Sequence, residues 1–205
     1  MKYADEEFLK AKKAEEKERE QEKAERLETE LQGNVRDGKV VVYGKEIAFS
    51  EQTFLDGQLT LFAPTDLRPL MQEEIDVAYL IGNKPQHVYY SESADMSLVL
   101  NHTDNPVDDG QVIKMAGIAG RFMEKTLMNG RVFSKKNRKS GDKTIASVET
   151  VSNGFDTGIY AFNFYISLQG RLLLGNWNCP AEGMERKKPL AEEMFETIAV
   201  QEKED

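Results

Sequence analysis

The feature that most constrains the fold of this chain is an apolar hairpin followed directly by an amphipathic helix, in residues 157–198. Two apolar stretches, residues 157–168 and 171–179, flank a Gln169-Gly170 pair that is typical of a tight turn. Pro189 is predicted to open the helix that follows. In the first stretch one face carries Tyr160, Phe162, Phe164, Ile166 and Leu168, and the other carries Ile159, Ala161 and Tyr165. Large side chains on both faces predict a central strand, so the segment indicates a helix packed on an antiparallel sheet.

Composition limits the class of protein. A chain of 205 residues with 40% hydrophobic content suits one ordinary domain plus an appendage. Its formal net charge of −9 repels nucleic acid and anionic membrane surfaces at long range. Cys179 is the one cysteine, and no stretch has the apolar length of a signal peptide or a transmembrane helix. These observations predict a cytoplasmic protein without integral membrane association.

Residues 1–32 differ in composition from the rest of the chain. The segment is dominated by charged residues of both signs and contains neither proline nor glycine. Pairs such as Glu15 with Arg19 and Glu22 with Arg26 have the i, i+4 spacing that stabilises a helix, but no apolar seam accompanies them. We therefore expect a charged, solvent-exposed arm, either helical or disordered, followed by a single α+β domain in residues 33–205.

The middle of the chain predicts short strands and one long helix. Gly44-Lys45 and Asp56-Gly57 have the composition of hairpin turns, and residues 77–81, 87–91 and 96–102 are predicted strands. Asp108 or Asp109 is predicted to start a helix whose inward apolar repeat is Val112, Met115, Ala116, Ala119, Phe122, Met123 and Leu127. The fold class that follows is α+β, an antiparallel β-sheet with two main helices packed on it as an α/β/α sandwich.

The order of these elements resembles the PsbP-like superfamily, which also contains the Ran-binding Mog-type proteins and the DcrB-like bacterial proteins. The resemblance covers about residues 46–199. It depends on the Asp56-Gly57 hairpin, the segment from Phe62 to Asp66, the helix after Asp109 and the closing hairpin and helix. The resemblance implies an α/β/α sandwich and a binding or accessory role, and it implies no catalytic residue, because the superfamily shares no catalytic set.

Few residues have the types and spacing of a chemical site. His87 and His102 lack metal-ligand spacing, and no glycine-rich phosphate loop is present, so we predict no metal and no cofactor. The alternative to a binding protein is a small thiol-dependent hydrolase that uses Cys179 with His87 or His102 as its base. Burial of Cys179 as a small apolar residue is the competing interpretation.

Basic residues supply the candidate interaction surface. Residues 134–143, predicted to be an exposed hairpin loop, contain Lys135, Lys136, Arg138, Lys139 and Lys143, and a second cluster before the last helix contains Arg186, Lys187 and Lys188. Solvation of the loop, contact with an acidic protein and contact with anionic lipid all remain open. Nucleic acid is disfavoured, since no aromatic residues interleave to stack bases. Trp177, the one tryptophan, is predicted either to close the core or to join the interaction surface.

The sequence as a whole therefore predicts a non-enzymatic binding or accessory protein that acts through protein–protein contacts. The identity of the protein partner and the oligomeric state stay open at this point.

Overall fold

The computed structural model describes residues 31–42, 44–79, 84–127, 130–153 and 158–201, together with Lys12, Lys17 and Arg19, which are helical. Almost all of the predicted arm at residues 1–32 lies outside the described residues. Within them, every strand pairing is antiparallel, and the prediction of an α+β fold is confirmed.

The described elements comprise twelve strands and three α-helices. The helices are α1 (Gln72–Ala78), α2 (Val112–Thr126) and α3 (Met184–Thr197). The strands are β1 (Leu31–Asn34), β2 (Lys39–Val42), β3 (Lys45–Phe54), β4 (Leu59–Pro64), β5 (Arg68–Pro69), β6 (His87–Ser91), β7 (Met96–Pro106), β8 (Arg131–Ser140), β9 (Lys143–Asn153), β10 (Gly158–Leu168), β11 (Arg171–Pro180) and β12 (Ala199–Val200).

The strands form two sheets where the sequence predicted one. A seven-stranded sheet has the order β5-β6-β7-β11-β10-β9-β8, and a five-stranded sheet has the order β1-β2-β3-β4-β12. The smaller sheet is a meander of the four N-terminal strands, and the last strand adds to its edge by pairing with β4 through Ala199 and Thr60. The last described strand therefore joins the sheet that contains the first described strand.

The main core lies between the two sheets and α3. The inward row of β10 predicted from the sequence, from Tyr160 to Leu168, is fully buried in this core. Leu59 and Leu61 of β4 meet it from the smaller sheet, and Phe195 of α3 meets it from the helix, with its ring 5.2 Å from that of Phe162. Packing of apolar side chains from three elements fixes α3 and the small sheet on one face of the large sheet.

The opposite face of the large sheet is covered by α2 and α1. Val112 and Ala116 of α2 pack on Tyr165, which belongs to the second face of β10 as predicted. Ile75 of α1 packs on Val88 of β6 and on the neighbouring strand β7. A central strand covered on both sides is thus confirmed for β10.

Gly175 allows an unusually close approach inside the large sheet. It pairs with Phe164 across β10 and β11, and a Cβ atom placed on it would lie 2.0 Å from Cζ of that ring. The buried ring therefore lies directly over the glycine, and any side chain at this position would force the ring to shift.

Three local predictions are wrong. Residues 77–78 belong to α1 rather than to a strand. The basic stretch is not a loop, because Arg131–Ser140 form β8 and only Gly141 and Asp142 make the turn. Helix α3 begins at Met184 after the left-handed Gly183, so Pro189 lies inside the helix and the basic residues 186–188 lie in its first two turns.

Candidate functional site

A polar cleft of about 690 Å³ opens where turns from both sheets meet. The β3–β4 turn forms one wall, and the start of β6, the middle of β7 and the β10–β11 turn form the rest. Both histidines, His87 and His102, line this cleft. The sequence did not indicate that the two histidines are neighbours in the fold.

Backbone conformations that side chains seldom adopt are concentrated around the cleft. Leu55, Asp56 and Gln169 have φ angles of 54°, 55° and 51°, and all three line it. Aspartate is one of the residues that adopt the left-handed region more readily, whereas leucine adopts it at a cost. Strain of this kind accumulates at binding and catalytic sites.

His102 has both ring nitrogens engaged. Its Nε2 lies 2.9 Å from the carbonyl oxygen of Leu168, which only accepts, and its Nδ1 lies 3.4 Å from Nη2 of Arg171, which only donates. These partners fit a ring that donates from Nε2 and accepts at Nδ1. Arg171 also pairs with Asp104 at 3.0 Å. Because its ring is fully engaged in this way, His102 is a structural member of the cleft wall.

The side-chain amide of Gln86 extends the pairing of β6 with β7. Its Oε1 accepts from the backbone N–H of His102 at 2.6 Å, and its Nε2 donates to the carbonyl of the same residue at 3.1 Å. The backbone N–H of Gln86 in turn donates to Oδ1 of Asn101. These bonds fix this wall of the cleft without a ligand.

The thiol enzyme considered above does not have the required geometry. Strand register places His102 opposite Leu173, six residues along β11 from Cys179 and therefore roughly 20 Å away. His87 is opposite Leu100, two strands from β11, and is displaced along the sheet as well. Burial raises the pKa of the Cys179 thiol to about 11, so at neutral pH it is not a thiolate.

We expect Cys179 to be inert in the native protein. Maleimide at neutral pH should label it at least about 100-fold more slowly than it labels the same protein in urea, because the thiol is both protonated and buried. Rates followed by mass spectrometry test this expectation. Native labelling as fast as labelling in urea would contradict it and would revive the thiol hypothesis.

The basic residues of β8 are engaged within the domain. Three lysines form ion pairs, Lys135 with Glu124, Lys136 with Glu192 and Lys139 with Asp109, at 3.2, 2.6 and 3.0 Å. The guanidinium of Arg138 donates to the carbonyl oxygens of Phe195 and Ile198 at the end of α3, and burial lowers its pKa. Lys143, the first residue of β9, is engaged as well. The contacts of Lys135, Lys136 and Arg138 connect β8 to α2 and α3.

The second basic cluster has a similar role. Lys187 forms an ion pair with Asp95, Lys188 forms one with the carboxylate of Glu149 at 2.9 Å, and Arg186 is also engaged.

Trp177 is fully buried in the main core. Of the two interpretations of this residue, core closure is therefore the correct one.

Among the described residues, Glu149 is the one charged residue that is fully buried. Its carboxylate accepts hydrogen bonds from Ser134, from Tyr160 at 3.1 Å and from the ammonium of Lys188. Burial by itself would raise the pKa of Glu149, but the bonds from Ser134 and Lys188 hold it below its usual value. The network fastens the first turns of α3 to β9 and β10.

The outer face of α2 carries apolar residues where solvent is expected. Phe122, predicted to point inward, is 66% exposed, and Ile118 is 43% exposed. With Lys114, Arg121 and Lys125 they occupy positions i, i+4, i+7, i+8 and i+11, which form one stripe along the helix. We call these five residues the α2 stripe. No ion pair of its three basic members occurs among the residues that the structure describes.

Two kinds of site are absent from the described part of the chain. No helix there is long and apolar enough to cross a membrane. No group of three or more His, Cys, Asp and Glu side chains is placed there to hold a metal ion.

The fold is similar to that of known structures, although neither a protein-family model nor a curated protein matches the sequence. The solution structure of cyanobacterial PsbP (CyanoP) from Synechocystis sp. PCC 6803 superposes with a TM-score of 0.54. The match covers 75% of this chain and 92% of that one, at 9% identity. The PsbP-like fold indicated by the sequence is therefore shown, and an identity this low shows the fold alone.

Two further likenesses have lower scores. LpqN of Mycobacterium tuberculosis, described as involved in cell envelope biogenesis, has a TM-score of 0.46 and 14% identity, over 76% of this chain and 91% of that one. PA94 of Pseudomonas aeruginosa, a protein of unknown function and putative regulator, has a TM-score of 0.44 and 8% identity, over 75% of this chain and 97% of that one.

Proposed function

We propose that this chain is a non-enzymatic accessory protein that acts through protein–protein contacts, and that the α2 stripe is its docking surface. The observation that carries the proposal is the exposure of Phe122 and Ile118 on a helix whose other face is already packed on the large sheet. Aromatic and arginine side chains supply much of the binding energy in protein interfaces. The stripe contains both.

The charge of the stripe indicates the kind of partner. Lys114, Arg121 and Lys125 flank the two apolar residues and have no carboxylate partner in the described chain, although the protein as a whole has a net charge of −9. A surface with acidic groups around an apolar pocket complements this arrangement, and it gains both apolar burial and electrostatic steering. We therefore propose an acidic protein partner rather than nucleic acid.

A matched set of variants tests the docking surface. We expect the double variant Ile118→Ser/Phe122→Ser to lose the partner, with affinity reduced at least about 30-fold, because two apolar anchors are removed. The control is Val77→Ser on α1, which is also an exposed apolar residue but lies outside the stripe. Cross-linking and mass spectrometry identify the partner, and calorimetry with the purified partner then measures the affinity of each variant.

Further measurements separate the alternatives. Arg121→Glu should weaken binding and reduce its salt dependence if the partner is acidic, because the net charge of the stripe falls from +3 to +1. Equal affinity of the double variant and the wild type for the purified partner would refute the docking surface. Stripe-dependent sedimentation with anionic vesicles, in the absence of any protein partner, would assign the stripe to lipid and refute the protein–protein function.

We propose that residues 33–205 form one α/β/α sandwich domain, which the packing of α2 and α3 on opposite faces of the large sheet supports. Residues 1–32 would then be its charged arm, although β1 already begins at Leu31. We propose a cytoplasmic location, because a single buried cysteine suits a reducing compartment.

A further inference from the structure

We propose that the polar cleft between the two sheets binds an organic ammonium ion, supplied either by a free polyamine or by a lysine side chain of a peptide. The cleft is separate from the α2 stripe, since no residue of α2 lines it. Its volume of about 690 Å³ lies within the range of small-molecule sites in proteins, about 300–1,000 Å³.

A buried hydrogen-bond acceptor in the cleft wall lacks a donor. Gln58 is only 9% exposed, lines the cleft, and its Oε1 has no hydrogen-bond partner among the described residues. Its backbone is satisfied, because its N–H donates to Leu55 and its carbonyl accepts from Gln201. Folded proteins leave few buried polar atoms unpaired. A ligand that donates a hydrogen bond to Oε1 of Gln58 would satisfy this unpaired acceptor.

A carboxylate without a partner lies two residues away. Asp56 occupies the β3–β4 turn in the left-handed conformation and lines the same cleft. It makes no hydrogen bond or ion pair with any residue in the described ranges. Together with Gln58, it gives one side of the cleft a negative charge and a second acceptor, which suits the several N–H donors of an ammonium ion.

The other charged groups of the cleft are already paired. Arg171 bonds to Asp104 and to the ring of His102, so its positive charge is opposed by a neighbouring carboxylate. Asp56 is thus the one fully charged lining residue that is left unpaired in the described structure. An anionic ligand would meet this carboxylate, whereas a cation would be attracted by it.

Aromatic rings complete the arrangement. Phe54 and Tyr89 both line the cleft and pack edge to face, with their centroids 5.0 Å apart. Ammonium groups are attracted to aromatic faces, most strongly where water is partly excluded. Acceptors, a free carboxylate and aromatic carbon together favour an organic cation over an inorganic one.

The test measures binding of defined probes to the full-length chain by calorimetry. Spermidine represents the free amine, and acetyl-Gly-Lys-Gly-amide represents the peptide, with acetyl-Gly-norleucine-Gly-amide as the control without an ammonium group. Magnesium chloride at equal ionic strength controls for counterion attraction. We expect one ammonium probe to bind with 1:1 stoichiometry, and the tighter of the two identifies the source of the ligand.

Variants assign the binding to the proposed groups. Asp56→Asn and Gln58→Met should each weaken binding at least about tenfold, because each removes a hydrogen bond to a charged group. Glu51→Gln is the matched control, since it removes one exposed negative charge from β3 outside the cleft. Gln58→Met should also raise the melting temperature, since it removes an unpaired buried oxygen, and this shows that the variant is folded.

Three results would overturn the proposal. The first is the absence of binding by both ammonium probes. The second is binding no tighter than that of magnesium. The third is an equal loss of affinity in Glu51→Gln and Asp56→Asn, which would show attraction to the net charge of the protein rather than to the cleft.

Discussion

Replacing Gly175 by alanine should lower the free energy of unfolding by about 3 kcal/mol. The added Cβ would lie 2.0 Å from the ring of Phe164, far inside van der Waals contact. The ring has no room to retreat, because Phe164 is fully buried in the core between the sheets and α3. Urea denaturation followed by circular dichroism measures the loss.

Two comparisons show whether the ring is the cause. Gly110→Ala is the matched control, since Gly110 has open space around it, and we expect a change within about 0.5 kcal/mol. In a Phe164→Leu background, the added cost of Gly175→Ala should fall below about 1 kcal/mol, because the clashing ring is gone. A cost that is unchanged in this background would refute the explanation.

Replacing Lys188 by methionine should cost about 3 kcal/mol at pH 7. The variant keeps the apolar stem but leaves the carboxylate of Glu149 buried with only the hydroxyls of Ser134 and Tyr160 as donors. An uncompensated buried charge is much more costly than the loss of a surface pair. Thermal and urea unfolding at neutral pH measure the difference.

The cost of the Lys188 substitution should depend on pH. In the folded wild type the pKa of Glu149 lies below its usual value of 4.5, so its contribution to stability is present above pH 4.5 and is lost as pH falls through the folded pKa. Without Lys188, burial dominates and Glu149 takes up a proton at a higher pH. The stability difference between wild type and variant should therefore be largest near pH 7, begin to shrink as the pH falls through the raised pKa of Glu149 in the variant, and continue to shrink below pH 4.5 until the wild-type carboxylate is also protonated.

Lys136→Met provides the control for the buried pair. Lys136 pairs with Glu192 at the surface, where both side chains are partly solvated, and we expect a cost of about 0–1 kcal/mol with little pH dependence. Equal costs for the two lysine substitutions would mean that Glu149 does not require its partner. The buried network would then have no special part in holding α3.

The parts of the fold that the sequence predicted are those with long apolar periodicity. The two faces of β10 and the start of α2 after Asp108 follow from side chains that repeat with the period of the element. The second sheet was missed because its N-terminal strands pair with their sequence neighbours, which does not tell whether they join the large sheet, and because its last strand, residues 199–200, pairs with β4 from far along the chain. Local pattern carries no information about such a pairing.

The candidate site was less predictable than the fold. The cleft is lined from four separate segments, around Asp56, His87, His102 and Arg171, which come together only when the two sheets pack. The turn-forming Asp56-Gly57 and Gln169-Gly170 pairs were visible, but their proximity was not. Phe122 was assigned to the core because its spacing fits the inward repeat, and periodicity alone does not resolve a side chain at the border of a helix face.

The basic residues of β8 lie along an edge of the large sheet. Among the described strands, β8 ends the seven-stranded sheet, and its outer backbone groups are a template on which another chain could add a strand. Lysine and arginine side chains along an edge strand are one of the devices by which natural sheets discourage such addition. The stretch that resembles a binding loop in the sequence is therefore, in the fold, an edge strand with the charged composition that disfavours extension of the sheet.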